Sequence, residues 1–205
     1  MTDRDGDGLP ARASADGQNC DPCTRAGRLV AVFHPTPGAF GSFREVAAAD
    51  VPDAARRLLD HESHMTVAME RFHGGPVGLR VVAVAAPAAG RADRYAREIL
   101  LLGPDRGVVQ HGIVTVDLTA LDAASAAAIR EAQTPLGRVL IGSSLLCRVQ
   151  NVRLLEVLPG PHLRGLFAMG EAPANPRLYG RVAEIVLQGR TAVDLLEIAA
   201  PVVPV

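Results

Sequence analysis

Two strand-like runs, Tyr179 to Gln188 and Thr191 to Ala200, meet at the four residues QGRT, and that closeness constrains the fold more than any other feature of the sequence. A parallel pair needs a crossover of a dozen or more residues, so these runs can only form an antiparallel hairpin. The Gly-Pro-Asp turn after Leu102 joins a second pair, Arg94 to Leu102 and Val108 to Leu118, in the same way. Val77 to Ala85 and Leu146 to Leu158 complete about six strands. Between the third and fourth, LTALDAASAAAIREAQ has helical composition. DVPDAARRLLDHESHMTVAMERFHG reads as two short helices broken near His61 to Ser63, with Asp50 and Ser63 as expected N-caps. The expected fold is α+β: a single antiparallel sheet with helices and helical flaps gathered on one side.

Residues 1–27 are rich in Asp, Gly, Ala and Pro without periodicity, which predicts a disordered or loosely attached leader before a single domain over residues 28–205. The chain is 48% apolar over 205 residues, enough for one good-sized core. With 21 basic and 22 acidic residues, it offers no electrostatic case for nucleic acid or an anionic membrane surface. No apolar run reaches membrane-spanning length, and the N-terminus lacks a signal-peptide pattern, so a soluble, cytoplasmic protein is expected. The three cysteines do not make a disulfide framework.

The chemistry is suggested by charges where a core should be. Side chains alternate across a strand, so Tyr95, Arg97, Ile99 and Leu101 share one face, as do Tyr179, Arg181, Ala183 and Ile185 on another strand. Val193, Leu195, Glu197 and Ala199 form a third such set. Burying a guanidinium without an anionic partner costs several kcal/mol or more. Two arginines against one carboxylate leave a positive excess, which suits a small carboxylic acid. Glu197 would then serve the neutral part of that ligand. In QTPLGRVLIG, Thr134 as N-cap and Pro135 at the first helical position would leave the backbone N–H groups of Leu136 and Gly137 pointing outward, ready for an anion.

Three other signals are weaker. CDPC, Cys20 to Cys23, has the spacing of half a zinc site but no completing pair. DRDGDGLPARAS begins like a calcium loop yet carries Ser14 where the bidentate Glu belongs. HESH, His61 to His64, has its histidines three apart and no third ligand, and Cys147 reads as core. No metal or organic cofactor is expected.

Taken in order, HMTVAMERFHG, YAREILL, VVQHGIV, QTPLGRVL, YGR and LLEIAAP resemble the chorismate lyase (chorismate–pyruvate lyase) family, in particular its bacterial p-hydroxybenzoate-forming branch. The resemblance implies a single antiparallel sheet with flaps closing over an internal aromatic-acid site. It implies elimination of pyruvate from chorismate to give 4-hydroxybenzoate, without cofactor. Carried over residue by residue, Arg97 would grip the ring carboxylate with the backbone N–H of Leu136, next to Gly137. Glu197 would meet the 4-hydroxyl, Met65 would be an apolar flap residue near the ring, and Arg181 is the candidate for the enolpyruvyl carboxylate. The sequence departs from the pattern at Val182, where related lyases often carry arginine or threonine. Two further outcomes stay open: an enzyme giving 3-hydroxybenzoate or using another carbocyclic acid, and a non-catalytic aromatic-acid binder. Relatives of this fold also serve as effector domains of transcription regulators, but the roughly 45 residues before the first matching helix are too few and too rich in Gly and Pro for a DNA-binding domain.

Overall fold

The computed structural model describes residues 21–36, 38–85, 93–170 and 176–201. Seven strands form one sheet in the order β1-β5-β6-β7-β4-β3-β2, every neighbour antiparallel. They are β1 (Gly41–Glu45), β2 (Gly78–Val84), β3 (Arg94–Leu102), β4 (Val108–Asp117), β5 (Cys147–Pro159), β6 (Leu178–Leu187) and β7 (Arg190–Ala199). The helices are α1 (Pro22–Ala31), α2 (Asp53–Leu59), α3 (Met65–His73), α4 (Ala123–Glu131), α5 (Leu136–Gly142) and α6 (Pro161–Leu166).

The hairpins expected from turn chemistry are present. Gln188 and Gly189 between β6 and β7 have φ values of 50° and 81°, the left-handed pair that a two-residue primed turn requires and that matches the twist of the flanking strands. Between β3 and β4, the Gly103 N–H donates to the Gly107 carbonyl at 2.8 Å.

Four expectations are corrected. The sheet has seven strands rather than about six, because the short segment GSFRE pairs with β5 as an edge strand. Helices cover both faces of the sheet, not one. On the first face α2, α3, α4 and α5 bury Leu58, Leu59, Met69, Ile129 and Leu140 against Ile99, Val114, Val193 and Leu195. On the second, Ala26, Leu29 and Val30 of α1 and Leu163 of α6 pack on Ile113, Leu155, Val157, Val182 and Leu196. Residues 22–27, expected in the leader, belong to α1. Asp21 caps that helix by accepting from the Thr24 N–H at 2.8 Å, and Pro22 occupies the first turn where its missing N–H costs nothing. Arg25 then clamps α1 to the sheet through Asp194 Oδ1 at 2.5 Å and the Ala183 carbonyl at 2.7 Å. Composition hid this helix, because its apolar residues at i, i+3 and i+4 begin in the middle of a polar stretch. Neither Asp50 nor Ser63 caps a helix: α2 starts after Pro52 and α3 after His64, both without a side-chain cap bond. Among the described residues no helix is long and apolar enough to cross a membrane.

Candidate functional site

The alternation that placed Arg97, Arg181 and Glu197 on apolar faces holds, and the sheet order turns all three toward one cavity. β6, β7, β4 and β3 are consecutive neighbours, with Arg181 opposite Glu197, Glu197 opposite Gly112, and Gly112 opposite Ile99. The cavity lies between this face and the starts of α3 and α5, and with its mouth it holds about 550 Å³ of empty space. Its wall includes Met65, Ile99, Val114, Leu136, Ile185 and Leu195, and its polar groups are Arg97, Gln110, Arg181, Glu197, His64 and Thr66. The structure therefore gathers Met65, Arg97, Leu136, Gly137, Arg181 and Glu197, all six sequence-derived site residues, in one lining.

Their pairing is unequal. Arg181 donates from Nε to Glu197 Oε2 at 2.7 Å. Its Nη1 donates to the carbonyls of His61 at 2.6 Å and Leu59 at 3.3 Å, and its Nη2 to the Ser63 carbonyl at 3.3 Å. It thus ties the loop between α2 and α3 down onto the sheet. Arg181, which the resemblance makes the candidate for the enolpyruvyl carboxylate, lines the cavity while most of its donors go to Glu197 and this loop, one Nη2 N–H being left over. Arg97 is as deeply buried, at 1% exposure, yet among the described residues it donates only from Nη2 to the Thr134 carbonyl at 3.3 Å. Its Nε and Nη1 are buried with no hydrogen-bond partner among the described residues. Desolvation presses its pKa below the ordinary arginine value, with the neighbouring Tyr95 phenol opposing that shift. Two arginines and one carboxylate thus resolve into a pair, Arg181–Glu197, and an unneutralised cation, Arg97.

The neighbouring histidines add no charge to offset. His61 Nε2 donates to the Leu58 carbonyl at 2.8 Å, which leaves Nδ1 as an acceptor 3.2 Å from Arg181 Nη1. Burial and then the Arg181 charge lower the His61 pKa, and burial lowers that of His64. Sequence reasoning missed Gln110, whose Oε1 is also buried without a partner, and a polar side chain on the cavity-facing register of β4 was the signal. Glu197 Oε1 takes part in no hydrogen bond among the described residues.

Gly137 lets α5 approach α3. A Cβ there would lie 2.9 Å from Thr66 Oγ1 and 3.2 Å from His64 Cβ. The cap differs from expectation: Pro135, not Thr134, is the residue before α5, and the Thr134 carbonyl accepts from Arg97 Nη2. As the first residues of a seven-residue helix, Leu136 and Gly137 have no carbonyl a turn earlier within it to donate to. Cys147, expected in the core, is half-buried, with its Sγ 3.4 Å from His64 Nε2. Burial pushes its thiol pKa up, which argues against an activated nucleophile. Val182 faces the opposite side of the sheet, in the core beneath α1 and α6, so its departure from the family pattern does not alter the cavity wall. Cys20 and the calcium-like segment Asp3 to Ser14 lie outside the described residues.

No protein-family model matches the sequence, and no curated protein is significantly similar to it. Among solved structures, a transcriptional regulator of the GntR family from Bacillus cereus is similar over 61% of this chain and 92% of that one, at 10% identity and a TM-score of 0.39. That likeness is too distant to assign a family or an activity.

Proposed function

We propose that the protein is a chorismate lyase, which eliminates pyruvate from chorismate and releases 4-hydroxybenzoate. One observation carries the reading: Arg97 is a fully buried guanidinium whose Nε and Nη1 have no partner among the described residues, set into a cavity with mostly apolar walls. Burying such a cation unpaired is costly, and a carboxylate arriving on Nε and Nη1 offsets that cost with two charge-assisted hydrogen bonds. Apolar walls that include Ile99, Val114 and Leu195 suit the ring that bears the carboxylate. The resemblance of six ordered segments to chorismate lyases supports the identity of that ring acid.

The elimination breaks the ring C–O bond, whose electron pair leaves with the enolpyruvate oxygen, and removes the proton on the adjacent ring carbon, whose C–H pair completes the aromatic ring. A proton then adds to the methylene carbon of the enolpyruvate, which leaves as pyruvate. Aromatisation makes it downhill, so the protein's task is to hold the substrate in a dry site and stabilise charge on the departing oxygen. Arg97 fixes the ring carboxylate. Glu197 Oε1, the oxygen not held by Arg181, accepts from the 4-hydroxyl and sets the ring's rotation. Arg181 positions Glu197 and the α2–α3 loop over the cavity. Purified protein given chorismate should release pyruvate, followed by a coupled lactate dehydrogenase assay, and 4-hydroxybenzoate, identified by chromatography. No pyruvate above the spontaneous rate would refute the reading. Release of 3-hydroxybenzoate would keep the elimination and change the product. Tight binding of 4-hydroxybenzoate without turnover would make the protein an aromatic-acid binder.

A further inference from the structure

The strand that aims Arg97 into the cavity aims the next residue, Glu98, through the other face of the sheet, and there it meets three histidines. His162 Nε2 lies 2.7 Å and His111 Nε2 2.8 Å from Glu98 Oε1, and His34 Nε2 lies 3.0 Å from Oε2. The three rings come from separate elements: His34 follows α1, His162 sits in the first turn of α6, and His111 is on β4, paired opposite Leu100. One ligand atom from each of His34, Glu98 and His162 lies within 4.8 Å of the other two. The two rings stand 4.0 Å apart between centroids, and Phe40 closes the cluster on one side.

We propose that His34, Glu98 and His162 bind a divalent transition-metal ion of the zinc class, with His111 as the positioning residue that holds Glu98. Two imidazoles and one carboxylate are a zinc-type donor set that leaves a fourth position for water. The second shell is already in place. His111 is fully buried and hydrogen-bonded to the carboxylate, as ligating carboxylates commonly are. The ion has a route in, since the His34 and His162 side chains keep 17% and 27% of their exposure while Glu98 keeps 1%. Bond lengths of about 2.0 to 2.2 Å around a tetrahedral ion set neighbouring ligand atoms roughly 3.3 Å apart. The 2.7 and 3.0 Å separations run to different carboxylate oxygens and would open by a few tenths of an ångström, while the widest spacing among the three ligand atoms, at most 4.8 Å, would close by up to about 1.5 Å, a rotation of side-chain tips. A bound ion would fasten the end of α1 and the start of α6 to the sheet. This site is independent of the cavity on the opposite face.

The test titrates chelator-treated, tag-free full-length protein with zinc chloride by calorimetry, and with cobalt(II) by visible absorption. One equivalent should bind, and cobalt should give the intense visible bands of a tetrahedral site without thiolate charge-transfer bands in the near ultraviolet. At a hundredfold excess over Kd, zinc should raise Tm by about 5 °C or more. His34→Gln and His162→Gln, which replace partly exposed rings, should weaken binding at least about tenfold while melting near the wild-type temperature without metal. Cys20→Ser with Cys23→Ser should bind as wild type. Stoichiometric binding lost in both histidine variants and kept in the cysteine variant supports the site. No binding, binding unchanged in either histidine variant, or binding lost with the cysteines overturns it.

Discussion

Replacing Arg97 with methionine should make the ligand-free protein no less stable while nearly abolishing its grip on an aromatic carboxylate. The guanidinium is 1% exposed, with one weak bond of 3.3 Å from Nη2 to the Thr134 carbonyl and none from Nε or Nη1. Exchanging poorly satisfied buried charge for a well-packed apolar side chain is neutral to stabilising by about 1 to 4 kcal/mol. Losing the Thr134 bond costs about 1 kcal/mol in return. The net expectation is a gain of roughly 0 to 3 kcal/mol for Arg97→Met in urea unfolding without ligand. Affinity should move the other way. A desolvated bidentate contact to a carboxylate is worth about 2 to 5 kcal/mol, so calorimetry with 4-hydroxybenzoate should show a loss of roughly thirty- to several-thousand-fold. Turnover of chorismate should fall by a similar factor. A variant destabilised by more than about 2 kcal/mol would mean that Arg97 already has a structural partner. Unchanged affinity would mean that the ligand's carboxylate lies elsewhere.

Arg181→Met should do the opposite, because it strands Glu197 and leaves the carbonyls of Leu59, His61 and Ser63 without their donor. We expect a loss of about 3 to 5 kcal/mol in the same unfolding assay, partly recovered by adding Glu197→Gln. His61 and His64 have folded pKa values below the ordinary imidazole value of 6.5, chiefly through burial. Below about pH 6.5 the unfolded chain then binds protons that the folded chain refuses, so Tm should fall as pH drops through that value and a His61→Gln variant should fall less steeply. Gly137→Ala should push α5 from α3, since its Cβ would come within 2.9 Å of Thr66 Oγ1. A loss of about 1 to 3 kcal/mol in stability, with weaker 4-hydroxybenzoate binding, is the expected result.

Strand identity and pairing were legible because period-2 burial and short turns are local signals. Arg94 to Leu102 was bounded to the residue, and the other five expected strands to within about one residue at each end. The missing elements lack such signals. GSFRE is an edge strand with one pairing partner and no continuous apolar face, so only β5 makes it a strand. α1 takes its definition from the sheet face it covers, and α6 has only six residues. Both lie on the face that was expected to be bare, and α1 was hidden in the composition of a leader. Capping failed as a guide because Thr134 and Ser63 give their backbone carbonyls to buried arginines, a tertiary demand that local propensity does not register.

The site shows the same division between what alternation reveals and what only packing decides. Alternation identified three charges on apolar faces and their sum, one positive charge in excess, but it could not say which arginine was left over. Register decides this. Arg181 faces Glu197 directly across β6 and β7, whereas Arg97 faces Val114 and is one strand further away, so only Arg181 reaches the carboxylate. The same geometry gives the two arginines different roles in the proposed binding of a carboxylate. An arginine whose charge is met by Glu197 and most of whose remaining donors hold a loop gains little from an arriving anion, while one with two bare nitrogens gains most of its missing solvation. Had β3 and β7 been neighbours, Arg97 could have taken Glu197 and the cavity would have held a closed ion pair. The strand β4 between them, contributing Gly112 opposite Glu197 and Val114 opposite Arg97, keeps the two apart and leaves the cation without an acidic partner among the described residues, the opening the proposed carboxylate would fill.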